Sequence, residues 1–370
     1  MKTLFLFLVI FNFVSGAEAQ SSHELPDDTY FHNRDTSALE RNEGAIEWDS
    51  RMFWLKSESG KNFGMMVMST HRGVHLGFPY YSVESADTAF VSISDEAGHQ
   101  SNFYVSGEFD KNFNFKAQSA TDHWTMTRDS VGSAVRVSAP GLEIALDATA
   151  QKKKTYLHDF GSTDLGWISW DSGTSVPWVD QTNLKVQGTL NFQGERMTVS
   201  GSSWMERNWT TSHILDAMAS NWRWRFFFFQ FQEGTGESEM LAFQLTDPTT
   251  QKVTSTYGAI IRPDSSLLVL DPSRIEITPT KTKTLGDKTY ETAWSLRFKD
   301  DSDLRVDLTY IPTLPWIEYE SLHLCYGHFD GPCRMTASRE VNGQRVSVDG
   351  HAWCEQVSTE WAHLCSAPPQ

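Results

Sequence analysis

Two short segments carry side chains that together could move a proton in an apolar setting. In Val199-Ser-Gly-Ser-Ser-Trp-Met-Glu-Arg-Asn-Trp209, a strand-like run leads into two tryptophans, a carboxylate and a guanidinium. Period-2 alternation puts Trp204 and Glu206 on one face and Met205 and Arg207 on the other. A carboxyl group beside indole rings is poorly hydrated, which raises its pKa and suits it to donate a proton near neutral pH. The same pattern would serve a structural Glu–Arg pair at a seam, and the residues alone leave both readings open.

The second segment, Val348-Asp-Gly-His-Ala-Trp-Cys-Glu-Gln356, repeats the theme. His351, Trp353 and Glu355 share one face, and Cys354 points the other way. Gly201 to Glu206 and Gly350 to Glu355 both read Gly-x-x-Trp-x-Glu, a weak echo that fits two related β-halves. Two carboxylates, Glu206 and Glu355, and a histidine could converge in one cavity; ordinary core tryptophans with rim carboxylates are the alternative. Trp222 to Phe231 is apolar on both faces, as a strand that is buried on both sides, or that lines an aromatic pocket on one of them, should be. Its Arg223 and Arg225 then require anionic or aromatic partners.

Other chemistries fit less well. Asp171-Ser-Gly-Thr-Ser175 has the hydroxyl-flanked aspartate of pepsin-like proteases, but such enzymes pair two carboxylates. The only second candidate, Asp349-Gly350-His351, lacks the hydroxyl residues. His71 and His75 flank Gly73 and have no acidic ligand at a familiar spacing, so no metal is expected. No nucleophile elbow, phosphate loop or dinucleotide fingerprint occurs, so no cofactor is expected either.

The elements that must hold these residues are strands. Phe63–Thr70, Leu184–Phe192, Met197–Ser200, Thr254–Ile261, Thr292–Phe298 and Leu304–Tyr310 alternate or run apolar between Gly, Pro and Asp clusters. Gln193-Gly194 and Asn342-Gly343 read as hairpin turns. Helix evidence is confined to Ser212–Ser220. The spacing of strands predicts an all-β chain of two barrel-like halves, at 20–180 and 181–370.

Across 370 residues the net charge is −16, and 21% of residues are charged. That excess of acid argues against nucleic acid or an anionic membrane surface as partner. Lys2, the apolar run Leu4–Val14 and Ala17-Glu18-Ala19 read as a signal peptide over residues 1–19, so the chain is expected to be secreted. Cys325, Cys333, Cys354 and Cys365 then suggest two disulfides, with three pairings open. Asn208-Trp209-Thr210 is a glycosylation sequon. Because a glycan needs solvent while Glu206 shares that face, the strand is expected to end at Arg207.

Glu47-Trp-Asp49, Tyr156-Leu-His-Asp-Phe-Gly161, the Leu184–Val199 hairpin and Gly201-x-x-Trp-Met-Glu-Arg-x-Trp209 resemble the carotenoid 1,2-hydratase and AttH-like superfamily, over roughly residues 44 to 357. The secreted fungal branch, with kievitone hydratase-like enzymes and dehydrating hetero-Diels–Alderases, is the nearest in character. The resemblance implies two lipocalin-like antiparallel β-barrel domains with a ligand cavity at or near their interface. Glu206 replaces the family's usual aspartate, which moves the carboxyl outward by about 1.5 Å.

The resulting expectation is a cofactor-independent lyase or cyclase of secondary metabolism, acting on a hydrophobic polyketide, tropolone or phenol together with a terpene. Glu206 or Glu355 would be the acid and His351 a relay or hydrogen-bond donor. Trp204, Trp209, Trp224, Trp353 and Arg207 would line the pocket. Dehydration coupled to cycloaddition is preferred over hydration of a prenyl alkene. A non-catalytic lipocalin-type carrier would share the barrel but need no acid. A glycan-active enzyme would need two carboxylates across an open groove.

Overall fold

The computed structural model describes residues 46–72, 87–97, 99–110, 114–129, 131–171, 174–209, 223–233, 236–247, 250, 252–285, 288–299, 303–311, 317–318 and 327–358. The leader, Ser212–Ser220, Cys325 and Cys365 lie outside these, as does the side chain of Trp209.

Strands run from β1 (Ile46–Ser57), β2 (Asn62–Arg72), β3 (Asp87–Asp95) and β4 (Gln100–Phe109) to β5 (Phe115–Gln118), β6 (His123–Arg128), β7 (Gly132–Ala139) and β8 (Leu142–Ala150). Next come β9 (Thr155–Tyr156), β10 (Trp167–Asp171), β11 (Thr174–Phe192) and β12 (Glu195–Trp209). Each of β1 to β7 pairs with its successor; β8 then pairs with β11, β11 with β12, and β12 with β1, which closes an antiparallel barrel.

The second sheet holds β13 (Arg223–Glu233), β14 (Gly236–Asp247), β15 (Lys252–Ile261), β16 (Leu267–Val269), β17 (Ile275–Leu285) and β18 (Lys288–Phe298). It is completed by β19 (Leu304–Tyr310), β20 (Ile317–Glu318), β21 (Gly327–Val341), β22 (Gln344–Val348) and β23 (Gly350–Ser358). Its order is β16-β15-β14-β13-β23-β21-β19-β18-β17, so among the described residues it curls without hydrogen-bonded closure. The second half is thus a half-barrel beside a closed one.

Both expected hairpins form. Gln193 and Gly194 have φ of 54° and 78°, and Asn342 and Gly343 have 50° and 74°, the left-handed pair that a two-residue primed turn demands. The expected division at 180/181 falls inside β11. β11 and β12 complete the barrel, and the chain changes sheet between Trp209 and Arg223. A barrel cannot close without its last two strands, however irregular their sequence.

Alternation sorts the apolar residues into three layers. Phe53, Leu55, Met65, Val67, Val91, Leu184, Val186 and Met205 fill the barrel. Phe227, Phe229, Trp294, Leu296 and Tyr310 fill the concave side of the half-barrel. The opposite faces of the same strands, with Met52, Met66, Phe90, Trp178, Trp204, Trp224, Phe226, Phe228, Phe243 and Trp353, pack together as a third layer between the sheets.

The two echo glycines have one structural task. A Cβ on Gly201 would sit 1.9 Å from the Trp54 carbonyl oxygen, and one on Gly350 would sit 2.3 Å from that of Gln230. Each lets a neighbouring strand approach at the level where the inter-sheet layer begins. Cys333 and Cys354 form a disulfide between β21 and β23. Among the described residues, no helix is long and apolar enough to cross a membrane.

Candidate functional site

The layer between the sheets is where the two sequence segments meet. β12 faces it with Ser202, Trp204, Glu206 and Asn208, and β23 with His351, Trp353 and Glu355. The Trp204 ring stands edge-on to Phe228 at 5.2 Å, Trp54 edge-on to Trp353 at 6.1 Å, and Trp178 stacks on Phe243 at 6.0 Å. These are the offset and T-shaped geometries that aromatic quadrupoles favour. Ser202 meets His351 and Trp204 meets Phe228, so the register carries Glu206 to the level of Phe226 and its cross-strand partner Glu355.

A carboxyl group the sequence did not single out lies at the centre. Asp180 of β11 is directly opposite Glu206 of β12. Side chains so paired have Cβ atoms about 5 Å apart. Asp180 is fully buried and Glu206 is 6% exposed. Trp178 Nε1 donates to Asp180 Oδ1 at 3.1 Å. Oδ2 is buried and has no hydrogen-bond partner among the described residues.

Burial pushes the Asp180 pKa well above the usual carboxylate range, and the Trp178 and Trp204 indoles only partly oppose the shift. Oδ1 accepts from an indole N–H, which leaves Oδ2 as the oxygen available to take a proton. Tyr257 of β15 closes the site from the other sheet, stacked on Phe243 at 5.1 Å. Its phenol is raised by burial and then by the charges of Asp180 and Asp159.

At the other end of the layer the sheets part around a cleft of about 720 Å³, walled by Trp54, Gly64, Lys185, Ser202, Pro332 and His351 among others. That volume is in the range of small-molecule sites. The His351 ring packs on Trp54 with centroids 4.4 Å apart, and its Nε2 lies 3.0 Å from Ser202 Oγ and 2.9 Å from Gln230 Oε1. Burial lowers its pKa to about 4, so at neutral pH the ring is uncharged.

A buried ion pair clamps the two sheets beside this cleft. Lys152, just after β8, donates to Glu239 Oε2 and to the Glu237 carbonyl of β14, each at 2.6 Å. Thr182 Oγ1 adds a bond to Glu239 at 3.2 Å. Burial raises the Glu239 pKa to about 7 despite Lys152. A carboxyl raised on folding contributes stability that is complete below its unfolded pKa and lost as pH rises through the folded one. Urea unfolding between pH 5 and pH 8 should therefore show wild type losing stability relative to Glu239→Gln as pH rises. Parallel pH profiles would contradict this.

The expected site residues divide into groups. Glu206, Trp204, Trp224, Trp353, Glu355 and His351 share the inter-sheet layer, and Glu355 Oε1 accepts from Trp224 Nε1 at 3.1 Å. Arg207 faces the opposite way, on the barrel side with Met205 and Arg51, and is 1% exposed. β12 runs through Trp209 rather than ending at Arg207. Asn208 is 1% exposed and donates from Nδ2 to Glu206 Oε1 at 2.9 Å.

The atom a glycan would occupy is therefore enclosed and engaged. Peptide mass analysis of protein from a glycosylating host should find Asn208 unmodified; a glycan there would mean that this end of β12 opens. Among the described residues, no three His, Cys, Asp or Glu side chains gather as a metal site requires.

No curated protein sequence matches the chain. Among solved structures, an AttH protein from Nitrosomonas europaea is 18% identical, with 92% of this chain and 98% of that one covered at a TM-score of 0.67. Kievitone hydratase from Nectria haematococca is 14% identical, with 92% and 97% covered at 0.60. CghA in complex with Sch210972 is 11% identical, with 85% and 89% covered at 0.51. At these identities the likeness shows a shared fold. The AttH-like family model matches residues 19–344, so the chain belongs to the AttH-like family.

Proposed function

We propose that this protein is a cofactor-independent lyase that adds or removes water on an apolar small molecule, with Asp180 as the acid and Glu206 as the paired base. The observation that carries the reading is Asp180: fully buried, raised in pKa, register-matched to Glu206, and with an Oδ2 that has no hydrogen-bond partner among the described residues. In the dehydrating direction, Oδ2–H gives its proton to the departing hydroxyl, the C–O bond breaks and water leaves. Glu206 takes a proton from the resulting cation, giving an alkene or quinone methide, and a proton passes from Glu206 back to Asp180. Hydration is the reverse.

The aromatic walls of Trp204, Trp224, Trp353 and Phe228 suit a delocalised cation, whose charge faces ring quadrupoles. They would also hold a diene and its partner in near-attack geometry, so the finer reading is dehydration followed by cycloaddition to a terpene. The folds shared with kievitone hydratase and CghA support this class. Glu355 is assigned to orienting Trp224. Secretion is part of the reading, supported by the leader sequence and by the Cys333–Cys354 disulfide.

The test is mass spectrometry of wild type, Glu206→Gln and Glu355→Gln incubated with a benzylic-alcohol phenol or tropolone and a terpene alkene. Loss of one water with a joined adduct, abolished in Glu206→Gln, is the expected result. Gain of one water on a prenylated phenol would establish hydration instead. Binding with no mass change in all three proteins would move the assignment to a carrier.

A further inference from the structure

The polar chain behind His351 determines which of its nitrogens can meet a ligand. Glu237 accepts two amide hydrogen bonds at 2.8 Å, from Gln230 Nε2 to Oε2 and from Gln232 Nε2 to Oε1. A carboxylate only accepts, so the Gln230 amide must turn its nitrogen to Glu237 and its carbonyl to His351. That carbonyl also only accepts. His351 Nε2, at 2.9 Å from it, must therefore be the nitrogen that carries hydrogen.

A neutral imidazole has one N–H, which leaves Nδ1 as a lone pair. Ser202 Oγ, 3.0 Å from the same Nε2, then shares that hydrogen as a second acceptor. The arrangement is thus not a serine nucleophile activated by histidine, which would need a bare Nε2. Trp54 packs on the ring and opposes its turning over, while His351 itself borders the cleft.

We infer that Glu237 and Gln230 are positioning residues that lock His351 in its Nε2–H tautomer, so that Nδ1 accepts a hydrogen bond from a hydroxyl on the molecule bound in the cleft. This rests on the cleft being the substrate's entry and does not depend on which group is the acid. It gives His351 the role of acceptor in place of the relay or hydrogen-bond donor expected from the sequence. It also names a substrate feature: an apolar skeleton with a free hydroxyl near the end that reaches Trp54.

Two measurements test it, and neither needs turnover. Long-range 1H–15N correlation on histidine-labelled protein at neutral pH, with His351 assigned by its loss in His351→Phe, should show a pyrrole-like Nε2 and a pyridine-like Nδ1. Glu237→Gln and Gln230→Leu should each give a mixture of tautomers. Hydrogen on Nδ1 in wild type, or the same single tautomer in both variants, would overturn the lock.

The second measurement is calorimetric titration with 4-prenylphenol and its methyl ether. The phenol should bind about tenfold more tightly in wild type, the worth of one hydrogen bond, and with no preference in His351→Phe. Equal affinity for the two probes in wild type, or binding of neither, would overturn the acceptor role. If the tautomer and the preference hold while no substrate is turned over, the lyase reading fails alone.

Discussion

Replacing Asp180 by Asn should abolish catalysis without costing stability. Asn is isosteric, keeps a carbonyl oxygen for Trp178 Nε1 and removes the ionisable proton. Loss of a positioned general acid lowers kcat by about 10²–10⁴-fold. Folding, in contrast, no longer has to hold a carboxyl whose ionisation burial opposes. Because the folded pKa is raised, the native Asp contributes less to stability as pH rises through it, so the Asn variant should gain relative to wild type toward alkaline pH. The checks are turnover by mass spectrometry and urea unfolding on the same preparations. A variant that keeps its activity would remove Asp180 from the mechanism; one that unfolds would make it a structural group.

The largest stability effect is expected on the far side of β13. Arg225 is 5% exposed and engages Glu291 through both Nε and Nη2, while its Nη1 donates to Gln244 at 3.0 Å and Thr246 at 3.1 Å. Glu291 also accepts from Trp294 Nε1 at 2.8 Å. Arg225→Met strands that carboxylate in the half-barrel core, where breaking a buried pair costs about 3–5 kcal/mol. Arg223 Nη1, 3.7 Å from Glu291, compensates in part and places the expected loss toward the lower figure. Changing both partners, Arg225→Met with Glu291→Leu, should recover most of it, because two apolar groups leave no uncompensated charge. A double variant as unstable as the single would show that the cost is packing and not charge.

These two residues show how far the sequence could be read. The need for an anionic partner at Arg225 was legible, because a strand apolar on both faces buries whatever lies between its phenylalanines. So were the hairpin turns, the division of Trp204 and Glu206 from Met205 and Arg207, and the convergence of the two Trp-x-Glu segments on one layer. The partner Glu291 was not legible, since it lies 66 residues further along the chain.

Asp180 was hidden for a different reason. β11 shifts register between Gln181 and Leu184, with Asn183 at φ 52°. Before that irregularity even-numbered residues such as Trp178 face the inter-sheet layer; after it Leu184 and Val186 face the barrel interior. The phase of the alternation reverses within one strand, so a period-2 pattern taken from one side of the break does not carry across it. The buried Asn208 has a related origin. A sequon is a local signal, and whether its strand continues depends on pairing with β1 at Trp48.

The proposed chemistry requires Asp180 to be a protonated acid at neutral pH. Infrared difference spectroscopy between wild type and Asp180→Asn at pH 7 addresses that directly. A carbonyl band of an unionised carboxylic acid, present in wild type and absent from the variant, is the expected result. A difference spectrum containing only carboxylate bands would mean that Asp180 is ionised, and the proposed acid would not exist.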